Sequence, residues 1–167
     1  ITLTSAQASP AIRMTLESTN ADEYGPSLEF NKNGASPANA DKVGTIIFNS
    51  EDDGAASTTF GRIECKIDDV AAGSESSTIT INVAEYDGTE TTGLSLVGSA
   101  SADGVVDVTI GAGAGSTATV AGDLAVGDDL SLTTDASVIN MGAGNDFTIT
   151  HDGTTGATIA GNPVHIT

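Results

Sequence analysis

The sequence predicts an all-β chain, with a β-strand module over residues 1–105 and a repetitive, glycine-punctuated β shaft over residues 106–167. Three observations lead there. An apolar-x-apolar triplet recurs and runs into glycine: Leu94-Ser-Leu96-Val-Gly98, Val108-Thr-Ile110-Gly111, Leu124-Ala-Val126-Gly127, Ile139-Asn-Met141-Gly142 and Ala157-Thr-Ile159-Ala-Gly161. Each is a very short strand with two side chains on one face, closed by a residue that tolerates a positive φ or a tight corner. Longer alternating segments recur upstream at intervals of about 8–15 residues, with no helical period. Aromatic residues make up 4% of the chain and tryptophan is absent, while glycine reaches 20 residues, so the large side chains of an ordinary core are scarce. Units of this kind gain burial by stacking, or by closing over an interior shared with neighbouring chains.

The elements follow in chain order. Residues 12–17 (Ile-Arg-Met-Thr-Leu-Glu) alternate and are entered through Ser9-Pro10, where proline biases the preceding residue toward extended backbone. Residues 25–32 and 43–48 form the next two expected strands, joined by a polar loop with breakers at Asn33-Gly34 and Ser36-Pro37; Leu28 and Phe30 share one side of the first, Ile46 and Phe48 one side of the second. A meander continues through residues 60–67, Ile79-Thr-Ile81-Asn-Val83, Leu94-Ser-Leu96 and Val106-Asp-Val108-Thr-Ile110, separated by Asp68-Asp69, Gly73-Ser74 and Asp87-Gly88. The low-complexity run Gly111-Ala-Gly113-Ala-Gly115 marks a joint, and the triplet array fills the remainder.

Charge excludes one class of function outright. Asp and Glu number 23 against 5 Lys and Arg, a formal charge of −18, and nucleic-acid binding needs a basic patch that releases counterions. The same charge keeps an exposed, Ser/Thr-rich particle dispersed in salt water, where repulsion is screened within about 10 Å. Disorder is set aside because the alternation is too regular. Cys65, the single cysteine, can form no intrachain disulfide, and its place between Ile63 and Ile67 puts it on the apolar face of a strand. Apolar runs are only a few residues long, so no membrane insertion is expected. A chain beginning at Ile1 reads as a processed product or part of a longer polypeptide.

Residues 25–63 carry a resemblance. The pattern Gly25-Pro26-x-Leu28-x-Phe30-x-Lys32-Asn33, then Ser36-Pro37-Ala38-x-x-Asp41-x-Val43-Gly44-x-Ile46-x-Phe48, Glu51-Asp52-Asp53-Gly54 and Thr59-Phe60-Gly61-Arg62-Ile63, resembles a module of tail-fibre and related appendage proteins of tailed bacteriophages, those of marine phages most closely. Downstream, Gly122-Asp-Leu124-x-Val126-Gly127-Asp-Asp129-Leu130-x-Leu132 is similar to the shaft repeats of such fibres. The resemblance implies a virion structural protein in an exposed extracellular appendage: a parallel homotrimer whose shaft is intertwined in the manner of a β-helix or β-prism. It would join other virion proteins of tail or capsid and support attachment to a host surface glycan or protein. Three chains in parallel register would close a narrow core from Leu124, Val126, Leu130, Leu132, Ile139, Met141, Phe147, Ile149, Ile159, Val164 and Ile166. Two other functions share these features: a capsid decoration or head fibre with a different anchor, and a secreted bacterial adhesin or surface filament.

Candidate chemistry is sparse. Gly142-Ala-Gly144-Asn145-Asp146 is similar to one imperfect copy of the calcium-binding β-roll nonapeptide, a motif that works by repetition. Asp52-Asp53 and Asp128-Asp129 are turn material whose oxygens would suit a hard cation if three chains converged. His151 lies in a turn, and His165 alternates away from Val164 and Ile166; the paired histidines that metal sites of such fibres use are absent. The residues a divalent cation would use are therefore Asp128, Asp129, Asp146 and His165, while the expectation is no cofactor. No nucleophile elbow, phosphate loop or opposed carboxylate pair is present, so no enzyme is expected either.

Overall fold

The computed structural model describes residues 15–17, 19, 25–141, 147–151 and 157–161, and among them the chain is all-β, with no helix. It divides into two units, residues 1–118 and 119–167. The first holds an open antiparallel meander of five strands in the order of the sequence: β1 (Lys42–Glu51), β2 (Ser57–Asp69), β3 (Ser76–Ala84), β4 (Glu90–Gly98) and β5 (Val106–Ile110). The second holds a three-stranded antiparallel sheet of β6 (Val138–Met141), β7 (Phe147–His151) and β8 (Ala157–Gly161).

Carboxylates in the turns fix the hairpins. Oδ1 of Asp52 accepts the backbone N–H groups of Gly54 and Ala56, both at 2.9 Å, which closes the loop between β1 and β2. Asp87 accepts from the Thr89 N–H at 2.9 Å between β3 and β4, and Asp69 accepts from Ala71 N–H and Ser74 Oγ, each at 3.0 Å, between β2 and β3. Short polar side chains that bond their own backbone two residues on favour turns over ladders. Several of the acidic residues that look like spare charge in the sequence are thus turn staples.

Two departures from the sequence reading follow from packing. Residues 25–34 form no strand. They touch β1 instead: a Cβ built on Gly44 would sit 2.6 Å from Cβ of Phe30, so the Phe30 side chain rests on bare Gly44 backbone. An ion pair between Lys32 and Asp41 at 2.9 Å anchors the same segment, and Pro26 has no N–H to give a ladder. Residues 106–110 pair with β4 in unbroken register, so the expected division at 105/106 falls inside the first sheet and the units part after residue 118. Gly111, at φ 87°, then turns the chain out of β5.

The triplet array is only partly strand. Leu94-Ser-Leu96, Val108-Thr-Ile110, Ile139-Asn-Met141 and Ala157-Thr-Ile159 all lie in strands; Leu124-Ala-Val126 lies in none. Register in the second sheet aligns Ile139, Ile149 and Ile159 in one row, with Met141 opposite Phe147. Leu124, Val126, Leu130 and Leu132 are exposed, from 45% to 67%, so they form no core within one chain. Val164 and Ile166 lie outside the described residues, as does the first half of the expected segment 12–17, whose residues 15–17 are in no strand.

Gly44→Val is expected to evict Phe30, costing about 1–3 kcal/mol of stability in a urea titration, as overpacking does. Combining it with Phe30→Ala should recover most of that loss. A single variant as stable as the parent would show that residues 25–34 do not seat on β1.

A two-faced sheet as the candidate interaction site

Alternation along each strand and register between strands sort the five-stranded sheet into two chemically distinct faces. Cross-strand partners line up one apolar row through Ile46, Ile63, Ile81, Leu94 and Ile110. A second row runs through Gly44, Cys65, Ile79, Leu96 and Val108, and Phe48, Gly61 and Val83 extend the face at one end. No charged residue stands in either row. Directly opposed β-branched and aliphatic pairs of this sort each stabilise an antiparallel ladder by roughly 0.2–1 kcal/mol.

The face has no second layer among the described residues. No side chain there is fully buried: Ile79 and Ile81, in the centre of the sheet, are each 40% exposed, and Ile110 at the β5 edge is 66% exposed. Phe30 covers only the β1 corner, leaving an open apolar cleft of about 290 Å³ beside Val43, Ile46, Ile63, Cys65 and Ile79. A sheet with one apolar face ordinarily buries it against another layer.

The opposite face is polar and laced with ion pairs. Arg62 on β2 reaches across β3 to Glu90 on β4 with a bidentate pair, Nε to Oε1 at 3.1 Å and a terminal nitrogen to Oε2 at 2.7 Å. Lys42 meets Glu64 at 2.7 Å and Lys66 meets Asp68 at 2.7 Å; Thr78 donates a short hydrogen bond to Asp68, and Thr92 donates to Asn82 at 2.6 Å. With Lys32 on Asp41, each of the four described cations is held by a carboxylate.

These contacts tune the acids. The hydrogen bond from Lys42 holds the Glu64 carboxyl below its ordinary value of 4.5, overcoming the opposing effect of burial, with further help from the Arg62 guanidinium. Lys66 first and Thr78 second hold Asp68 below 3.8, and Lys32 followed by the Ala38 N–H does the same for Asp41.

The residues singled out as cation ligands do not assemble. Asp128, in a bend, and Asp129 beside it are both exposed, Asp146 and His165 lie outside the described residues, and no group of three His, Cys, Asp or Glu comes together among the described residues. Cys65 sits on the apolar face as expected, partly exposed and free. Sequence reasoning missed the Arg62–Glu90 pair, because its partners are 28 residues apart and meet only through the register of three strands. No helix among the described residues is long and apolar enough to cross a membrane.

No family model, curated protein or solved structure matches the chain. The sheet closes its polar face with its own ion pairs and leaves its apolar face open.

Carboxylates held below their ordinary values stabilise the fold above those values, and the contribution is lost as pH falls through the lower folded-state values. A Glu64→Gln chain is expected to melt below the parent at pH 7, and the gap should close as the pH falls from about 5 toward 3. Melting curves across that range check the assignment. A gap that is absent at pH 7, or constant with pH, would remove Glu64 from the ion pair.

Proposed function

We propose that the chain is a structural virion protein: a homotrimeric tail fibre, or fibre-like appendage, of a tailed bacteriophage that projects from the particle and supports host attachment. The observation that carries this reading is the uncovered apolar sheet. A chain of 167 residues with no fully buried side chain among its described residues is completed by assembly, not by its own packing. The pattern over residues 25–63 that resembles appendage modules of tailed phages supplies the kind of assembly.

In this reading the second unit is the start of an intertwined shaft. Strands β6, β7 and β8, whose register aligns positions 139, 149 and 159, run in that shaft, and Leu124, Val126, Leu130 and Leu132, exposed within one chain, are covered by neighbouring chains. The acidic exterior disperses the particle, and the chain works by reach and contact, without a cofactor and without catalysis. Its partners are two further copies of itself, other virion proteins at the base, and a glycan or protein on the host surface.

Light scattering at micromolar concentration is expected to give about three times the chain mass of 16.5 kDa. A monodisperse species near one chain mass would overturn the reading, and so would immunogold labelling that leaves the appendages of the phage particles bare. Because each subunit carries a formal −18, assembly proceeds against self-repulsion that salt screens. Sodium chloride should therefore raise the melting temperature about as much as calcium at matched ionic strength. A calcium effect that saturates below millimolar in high sodium chloride would instead make ligands of residues such as Asp128 and Asp129.

A further inference from the structure

We infer that the apolar face of the five-stranded sheet is itself an assembly surface, and that its occupant is the same face of other copies of this chain. The inference rests on the homotrimer reading and adds a contact to it: that reading intertwines the second unit, residues 119–167, whereas this surface lies wholly between residues 42 and 110.

Size is the first argument. The exposed fractions along the two apolar rows and their flanks amount to on the order of 800 Å² per copy, which is the half-share of a standard stable interface. Contiguous apolar patches on monomers rarely exceed a few hundred Å². Charge is the second. A subunit at −18 repels its copies wherever acidic surfaces meet, yet neither apolar row contains a charged residue, so two such faces come together without burying a carboxylate. A basic partner would be drawn to the acidic turns instead, and an acidic partner finds no free cation among the described residues, since Lys32, Lys42, Arg62 and Lys66 are all paired.

Geometry is the third. Five strands at about 4.8 Å spacing make the face about 24 Å wide; three such faces set as the sides of a triangle stand about 7 Å from its axis, against about 5 Å for half the gap between packed sheets. Isoleucine, leucine and phenylalanine fill that space. The layer missing from the fold must also be present whenever the chain is, and another copy meets that condition by construction.

Adjacent residues on β5 give a discriminating test. Val108 lies in the apolar row and is 57% exposed; Thr109, opposite Ser95 on the other face, is exposed as well. Within one chain the two positions are equivalent in access and strand context, so Val108→Asp and Thr109→Asp should then behave alike. With copies seated face to face, Val108→Asp should weaken self-association by at least on the order of 100-fold and Thr109→Asp by no more than about threefold, read by light scattering across a dilution series. The native Cys65 thiol provides a second readout in the unaltered chain, since it stands in the covered row. Maleimide labelling should be slow in the assembled protein and become fast on dilution to subunits or in Val108→Asp.

The failures separate. An assembled chain whose Cys65 labels as fast as a small thiol, and whose mass survives Val108→Asp, keeps the trimer and removes this face from it. A monomer overturns both. A monomer whose Cys65 is nonetheless protected assigns the cover to the chain's own residues and overturns the inference.

Discussion

The first sheet depends on one constraint: strand register that keeps five apolar side chains in line from β1 to β5. Ile46, Ile63, Ile81, Leu94 and Ile110 are each the direct partner of the next. Because side chains alternate with period two, a slip of one residue anywhere along β2 would turn Arg62, Glu64 and Lys66 into that row. The ion pairs on the reverse face resist the slip from the other side, since Arg62 finds Glu90 two strands away only in the observed alignment. Apolar row and ionic row are thus one specification written on two surfaces. Exposed ion pairs contribute little energy each. Their value here lies in fixing which residue meets which.

Much of this was legible in the sequence. The alternation in Ile63, Cys65 and Ile67 and in Ile79, Ile81 and Val83 located β2 and β3 and put the cysteine on the right face, because period two needs no knowledge of partners. Residues 25–32 carry the same alternation through Leu28 and Phe30 and yet form no strand, since Gly44 leaves a space on β1 that Phe30 fills from above. Nothing local announces that a glycine beyond the next loop will accept an aromatic ring. The triplets were ambiguous for a related reason. Two apolar residues and a glycine fit β4, β5, β6 and β8 equally well, and the same signal at residues 124–126 yields no strand, because so short a unit takes its partner from context.

The acidic composition also divides into roles that a net charge conceals. Asp52, Asp69 and Asp87 bond turn backbone, while Glu64, Asp68 and Glu90 neutralise cations on the polar face. Composition reported only the sum of these. It could not say that the four described cations are all engaged within the chain. The excess of acid over base gives the surface its repulsive field, and the uncharged rows are where that field has no carboxylate to desolvate.

The two borders of the sheet are built differently. β1 is offset against β2 twice, once by Val43, an extra residue in β1 itself between Lys42 and Gly44, and once by Phe60, an extra residue in β2 opposite the step from Phe48 to Asn49, whereas β5 follows β4 without interruption. Extra residues bend a strand and spoil its outer hydrogen-bonding row as a template. Lateral recruitment of further strands is thereby discouraged at the β1 border of a chain rich in β-branched residues, while the β5 border keeps a regular outer row.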